Sequence, residues 1–367
     1  MIDYDILIVG GGPAGSILAR SLASSEKSIL LLEGSDYSAP RVGETLPAHI
    51  MPELKRLGLW DDFLGLNPRK SYGIESAWNE HNPTFKSHIL NPLGNSWHVN
   101  RNDFDKLLYL QAKKHPKVAA YTNVRVKNLR QLPDYSWQIT WNSAQGETRA
   151  HAAIYIDATG RKSPAKNKDK VAYQSFDQLV GVGCILDSMP EQALNHLILN
   201  ACKDGWWYAA PLQQSKSVIF LMTDLDIVRN KQLTKIGHWK ATMPADATIF
   251  KAFKRLIKND EKLIVRQAQS QIVETIHVDQ FFTVGDALVS FDPLTGLGVT
   301  RAIQTAMGLA RFLKAYDHLN PAICQLFLDQ IRPLFQNYLS QWHHTYTVVK
   351  EWKDCKFWKR RHEMIIN

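Results

Sequence analysis

Apolar residues fall in short runs along most of this chain and shift to helical spacing towards its end. Residues 4–9 (Tyr-Asp-Ile-Leu-Ile-Val) and 28–32 (Ser-Ile-Leu-Leu-Leu) are nearly continuous apolar runs, the mark of strands buried on both faces. Residues 16–24 between them carry the spacing of a helix, as do residues 51–60. Residues 72–89 alternate and are rich in aromatics, which predicts strand. Residues 97–105 lead into a helix that continues through Lys114. Residues 118–126, 137–141 and 148–156 read as a small meander. Residues 181–186 and 217–223 predict strands of a further sheet, accompanied by one long polar helical stretch. The run 281–284 points back into the first sheet. From Thr300 onward the pattern is helical almost to the end.

This order implies a discontinuous first domain (1–70, 96–170 and 276–320). A sheet-bearing domain is inserted in it (71–95 and 171–275), and a helical segment follows (321–367). No internal repeat or low-complexity linker interrupts it.

The break between the first strand and its helix carries chemistry. It reads Gly10-x-Gly12-x-x-Gly15, with Pro13 and Ala14 opening the helix. Gly10 suits a tight turn, Gly12 lets a pyrophosphate approach the backbone, and Gly15 lets helix and strand pack closely. The helix start offers free N–H groups and the positive end of its dipole to phosphate. Glu33 closes the second strand, where a carboxylate can accept bonds from both ribose hydroxyls. No second fingerprint of this kind occurs. One dinucleotide is held firmly, and any nicotinamide donor visits without its own domain.

Bulk properties narrow the class. The chain has 367 residues, 45% hydrophobic and 22% charged, enough for two or three domains. Its apolar start is the first strand rather than a secretory leader, and no apolar run is long enough to span a membrane. Cys184, Cys202, Cys324 and Cys355 show no metal or CxxC spacing, which fits buried thiols in the reducing cytoplasm and predicts no metal site. Net charge is +9, and much of it sits at residues 350–361 among Trp352, Phe357 and Trp358. That segment suits an acidic partner protein or an anionic surface, or a solvated terminal helix whose aromatics pack inward. No recognition motif supports nucleic-acid binding, and membrane contact is not expected.

The fingerprint alone does not separate NAD from FAD. Distant segments do so by resemblance. Ile154-Tyr-Ile-Asp157-Ala158-Thr-Gly160 resembles the Ala-Thr-Gly strand end of flavoproteins with two dinucleotide motifs. Thr283-Val-Gly285-Asp286 and Phe291-Asp-Pro293-Leu-Thr-Gly296-Leu-Gly298-Val299 resemble the Gly-Asp and Pro-x-x-Gly-x-Gly segments of the FAD-dependent aromatic hydroxylases. In that family the acid holds the ribityl or phosphate part, and the turn opens a helix facing the N1/C2=O edge of the flavin. A helix start suits the negative charge that reduced flavin carries there. Arg41-Val-Gly-Glu44-Thr45-Leu-Pro resembles the loop that passes the flavin in halogenases and related monooxygenases. Arg101-x-x-Phe-Asp-x-x-Leu resembles the family's helix start whose arginine reaches the cofactor. The resemblance covers nearly the whole chain. It implies FAD as cofactor and an α/β fold: a Rossmann-like FAD domain of the p-hydroxybenzoate-hydroxylase type, an inserted β-sheet substrate domain and a C-terminal helical segment. It also places Gly34, Arg41, Glu44, Thr45, Arg101, Val126, Asp157, Ala158, Gly160, Asp286, Pro293, Gly296, Gly298 and Val299 among the cofactor contacts.

Within the superfamily, Gly205-Trp206-Trp207-Tyr208-Ala-Ala-Pro211 is an imperfect match to the Gly-Trp-x-Trp-x-Ile-Pro of tryptophan halogenases. Those enzymes also carry a glutamate in the turn that here reads Pro293-Leu-Thr-Gly296. Lys70 is the nearest candidate for their lysine, in poor flanks. The combination of Val42-Gly-Glu-Thr-Leu-Pro47, Ser71-Tyr-Gly-x-x-Ser-Ala-Trp78, Trp97-His-x-x-Arg101, Gly205-Trp-Trp-Tyr208 and Phe291-Asp-Pro-Leu-x-Gly-x-Gly298 resembles the LodB/GoxB-type flavoproteins. Those proteins mature the cysteine tryptophylquinone of a partner amino-acid oxidase. The resemblance implies an oxidoreductase of the monooxygenase type, inserting oxygen into a tryptophan of a partner precursor with an external reductant. Trp206, Trp207 and Tyr208 are the expected aromatic wall, or ordinary core aromatics. His98 is the acid/base candidate by position, or a structural histidine. A small-molecule aromatic hydroxylase or halogenase is one alternative, and a flavin-bearing chaperone without turnover is another.

Overall fold

The computed structural model describes residues 2–25, 27–79, 83–164, 170–191, 195–245, 247–316 and 318–364. The two apolar runs pair in parallel as strands Ile2–Val9 and Ile29–Leu32 at the centre of a seven-stranded sheet. All four residues of Ile29–Leu32 are buried, as a strand covered on both faces requires. Val118–Tyr121 flanks it on one side. On the other, Ile2–Val9 pairs with the long strand Gly146–Asp157, which continues into Trp137–Ser143 and Arg125–Gln131 and also takes Phe281–Thr283 in parallel. The run predicted at 118–126 therefore divides. Its first half joins one side of the sheet and its continuation forms the opposite edge, separated by Asn123 at φ 56°. In Trp137–Ser143 the buried residues alternate (Trp137, Ile139, Trp141), so this wing covers one face only.

Helix Pro13–Ala23 begins with proline at its first turn, where the missing N–H costs nothing. It packs between helices Gly298–Ala315 and Arg101–Lys113. A second seven-stranded sheet runs Ile264–Gln267, Leu179–Leu186, Ser217–Asp224, Gly205–Pro211, Leu197–Cys202, Gly73–Ala77 and Thr84–Ser87. Strands from residues 73–87 thus join those from 179–267 in one layer. The long polar helix expected in this stretch is instead three short ones, Leu225–Asn230, Ile236–Ala241 and Thr248–Leu256. A separate three-stranded sheet is formed by Val171–Ser175, Gln271–Ile276 and Val289–Ser290.

The C-terminal segment closes the molecule. Helix Pro321–Thr347 is followed by Lys356–His362, in which Phe357, Trp358 and Arg361 are buried while Lys356 and Lys359 face out. Arg361 Nη2 lies 2.9 Å from Asp224 Oδ1, and Trp358 Nε1 donates to the Cys202 carbonyl at 2.8 Å. Inward packing therefore accounts for the aromatics of this basic segment. None of the helices among the described residues is long and apolar enough to cross a membrane.

Candidate active site

The two sheets enclose a cavity of about 600 Å³. At one end the first strand runs into Gly10, whose φ is 111°. A Cβ there would stand 2.3 Å from the Ala158 carbonyl oxygen, and one on Gly15 would stand 1.9 Å from that of Gly10. These two glycines serve close packing. Gly12 differs: a Cβ on it would meet nothing within 4 Å, because the space before the helix start is open. No side chain among the described residues caps that helix. Glu33 lies beside it, accepting from Gly11 N–H (2.6 Å), Ser35 N–H (3.0 Å) and Arg41 Nη2 (3.0 Å).

Arg41 continues to Asp105 through Nη1 at 2.8 Å. Arg101 meets the same carboxylate at 3.0 Å and donates to the carbonyls of Val42 and Gly43, each at 3.1 Å. Two cations and two anions thus fasten the 40–44 loop onto helix Arg101–Lys113. Both arginines line the cavity, as do Glu44, Thr45, Pro13, Ala14, Ala158 and Gly160.

Across the cavity Arg161 stitches three segments. It pairs with Asp286 (3.1 Å) and donates to the carbonyls of Gln269 and Phe291 (2.6 Å each). The turn that follows is held by Asp292, whose Oδ1 accepts the Leu294 N–H at 2.8 Å, and it ends on Gly296 at φ 64°. Helix Gly298–Ala315 then starts without a side-chain cap, and a Cβ on Gly298 would meet nothing within 4 Å. Two uncapped helix starts therefore open onto one cavity, a suitable field for an elongated ligand with anionic groups.

The remaining wall is apolar. In strand Gly205–Pro211, Trp206 and Tyr208 line the cavity with Ile74, Leu197, Leu199, Phe220 and Met222. Tyr208 stacks on Phe220, centroids 5.7 Å apart and planes 9° from parallel. Burial, then the nearby Glu44, pushes the Tyr208 phenol well above its usual value. Burial likewise pushes Glu44 up, against the pull of backbone N–H groups and Arg101. Behind the wall, Trp206 Nε1 donates to the Tyr346 hydroxyl (2.8 Å), which donates to Asp292 Oδ2 (2.8 Å). Trp342 Nε1 donates to the same oxygen at 2.9 Å. Burial, then repulsion from Asp177, raises the Asp292 carboxyl to about 6 despite these bonds. Helix Pro321–Thr347 thereby links the aromatic wall to the turn before helix Gly298–Ala315.

Several sequence expectations fall outside this cavity. Trp207 points to the opposite face of its strand, against Trp239 and Phe250 at 5.0 and 6.0 Å, because strand neighbours alternate. His98 is fully buried in strand Ser96–His98, with Nδ1 3.1 Å from Thr45 Oγ1 and no partner for Nε2 among the described residues. Burial, then the charge of Arg69, pulls it down to about 3, so it stays neutral. Gly15 lies beneath the turn. A Cβ on Gly34 would stand 3.7 Å from the Val124 carbonyl oxygen, and Val126 pairs with Trp141 in an edge strand. Asp157 spends its oxygens on Thr159 (2.9 and 2.6 Å) and Ser163 (2.6 Å). Lys70 is exposed on its strand, 6.0 Å from the Trp97 ring.

The cavity instead recruits His88, which sequence reading passed over. Its Nδ1 lies 3.1 Å from the Ser71 carbonyl oxygen, which only accepts, so Nδ1 carries a proton, and in the neutral ring Nε2 is the acceptor. Its place at the end of an aromatic, alternating segment was the available signal.

This geometry suits a flavoprotein, with room for one dinucleotide between a glycine-rich helix start and a second helix start. The chain belongs to the family of the FAD binding domain, whose model matches residues 3–318. It is 31% identical over 371 residues to LodB of Marinomonas mediterranea, named as an FAD-dependent oxidoreductase, covering 99% of this chain and 98% of that one. It is accordingly an FAD-dependent oxidoreductase, and the open space before Gly12 and Gly298 suits that cofactor. The fold matches the myxobacterial chondrochloren halogenase CndH with a TM-score of 0.83, at 22% identity, over 100% of this chain and 87% of that one. It also matches QhpG, a peptidyl tryptophan dihydroxylase essential for tryptophylquinone cofactor biogenesis, with a TM-score of 0.77, at 17% identity, over 98% and 78%.

Proposed function

We propose that the protein is a monooxygenase that hydroxylates a tryptophan of a partner precursor, an amino-acid oxidase awaiting its tryptophylquinone. The carrying observation is the composition of the wall: Trp206, Tyr208, Phe220, Met222 and three aliphatic residues, and no lysine among the described residues lining the cavity. Halogenation of the kind considered above needs a lysine to carry the halogen, so the wall favours direct oxygen transfer to an aromatic ring. The likeness to LodB and QhpG supports the same reading.

Bound FAD supplies the activation of O2. Overall, one oxygen atom enters a ring C–H bond as hydroxyl and the other leaves as water, with two electrons from an external donor and two protons. This chain's residues set the conditions. The uncapped helix starts and the Arg41–Glu33 and Arg101–Asp105 pairs hold the cofactor end. The apolar wall keeps water from the reacting ring. His88 Nε2 accepts the proton displaced from the ring. Strands from 73–87 and 179–267 form the substrate side, and the 1–70, 96–170 and 276–320 segments the cofactor side.

Co-expression with the precursor, followed by mass analysis of the precursor's tryptophan peptide, tests the proposal. Added oxygen that disappears in the His88→Ala variant is the expected result. A precursor of unchanged mass beside a flavin-loaded enzyme and a working reductant would sink it.

A further inference from the structure

Ser71 and His88 line the substrate end of the cavity and are joined through His88 Nδ1 and the Ser71 carbonyl. The residues that directly follow them are apolar and exposed: Tyr72 at 49%, Ile89 at 84% and Leu90 at 90%. Large apolar side chains this exposed, beside a cavity mouth, mark an interaction surface.

The strand leading into His88 adds a second feature. Thr84–Ser87 is the outer strand of its sheet, and all four of its residues are exposed. Among the described residues it pairs only inward, with Gly73–Ala77. The His88 N–H bonds inward to the Tyr72 carbonyl, and the Lys86 carbonyl oxygen would stand 2.6 Å from a Cβ on Gly73. Strand alternation then turns the N–H and C=O groups of Phe85 and Ser87 outward. Among the described residues no other backbone group bonds to this outer edge. Folds ordinarily cover or bend such edges, and an open one pairs readily with another extended chain.

We propose that this edge and the Tyr72/Ile89/Leu90 rim bind an extended polypeptide segment as an added strand, delivering its tryptophan past His88 into the cavity. The inference rests on the monooxygenase reading and names how its protein substrate docks. Main-chain bonds to residues 85 and 87 supply affinity without sequence demands, and the rim takes the apolar side chains flanking the tryptophan. A free amino acid has no backbone to offer this edge.

The test uses the flavin-loaded full chain and a labelled, capped peptide of alternating threonine and valine with one central tryptophan. N-acetyl-tryptophanamide is the comparator. Binding is followed by fluorescence anisotropy, with the visible flavin spectrum and melting temperature as folding controls. Ser87→Pro removes an outward donor and is expected to weaken the peptide about tenfold, while Ser87→Ala changes binding less than about twofold. Ile89→Ser combined with Leu90→Ser weakens the peptide and leaves N-acetyl-tryptophanamide unaffected. A peptide that binds Ser87→Pro as it binds the parent, or no more tightly than N-acetyl-tryptophanamide, overturns the docking mode. So does anionic lipid vesicle binding that depends on Ile89 and Leu90 in the absence of any peptide effect. A peptide that docks in this pattern yet gains no oxygen during turnover leaves the docking standing and removes the reaction.

Discussion

The two ends of the cavity are built from different materials. The end proposed to hold the cofactor consists of backbone and charge: glycine turns, two bare helix starts, and arginines tied to Glu33, Asp105 and Asp286. The end proposed to take the substrate consists of side chains on strand faces, with Trp206 and Tyr208 inward and Trp207 outward. Backbone sites tolerate little change in the residues that shape them but are indifferent to the rest of the chain. A side-chain wall depends on register between distant strands, and single substitutions alter its shape without unmaking the fold.

The glycines give the sharpest way to break this contrast. Gly15→Val drives a side chain into the Gly10 carbonyl, 1.9 Å from where Cβ would sit, and is expected to cost at least about 3 kcal/mol and to yield little folded protein. Gly12→Ala meets no atom within 4 Å, so its melting temperature without cofactor should match the parent while retained FAD falls. Thermal melts and the visible flavin spectrum separate the two. Equal loss of fold in both variants would erase the distinction between packing glycines and ligand glycines.

At the other end the paired test is Trp207→Ala against Trp206→Phe. The first opens a hole between Trp239 and Phe250 and should destabilise by about 3–5 kcal/mol, with turnover per folded molecule preserved. The second keeps a ring at the wall but loses the bond to Tyr346, a cost of about 1 kcal/mol. Its expected signature is less hydroxylated product per reductant consumed. Urea unfolding and product-to-reductant ratios check the pair.

A further expected effect is electrostatic, confined to a narrow pH window, and sits where the two ends meet. Asp292 has a folded pKa of about 6, above its ordinary value of 3.8. The folded state therefore binds more protons than the unfolded state between these values, so stability falls as pH rises from about 4 to about 6. The group contributes no further change on either side of that window. The shift corresponds to roughly 2–3 kcal/mol, and Asp292→Asn should flatten this part of the profile in urea midpoints measured across it.

The division of materials also decides what was legible beforehand. The glycine spacings, Glu33 and the Pro293–Gly298 turn are contiguous motifs whose geometry is local, and the sheet centre follows from two apolar runs. The wall was only half readable. Strand alternation alone places Trp206 and Tyr208 on one face and Trp207 on the other, but not which face meets the cavity. Ile74, Leu197, Phe220 and Met222 come together only through pairing across the second sheet, which no local pattern encodes. His98 was misleading because its neighbours resemble a cofactor-contacting segment, whereas strand pairing with Thr45 and Arg69 turns its ring into the interior. Arg41 on its loop meets Asp105 and Arg101 on a helix some sixty residues further on, a network visible only once folded.

Two bare helix starts facing the same space carry a physiological consequence. Each gains from an anion placed before it, by about 0.3–1 kcal/mol and up to ~2 kcal/mol when sheltered. Loading with FAD therefore adds directly to resistance against unfolding, by about 2.7 kcal/mol at a free concentration one hundred times the dissociation constant. Copies without FAD would therefore unfold more readily than loaded ones, so cofactor supply would bear on how much folded protein persists as well as on how much is active.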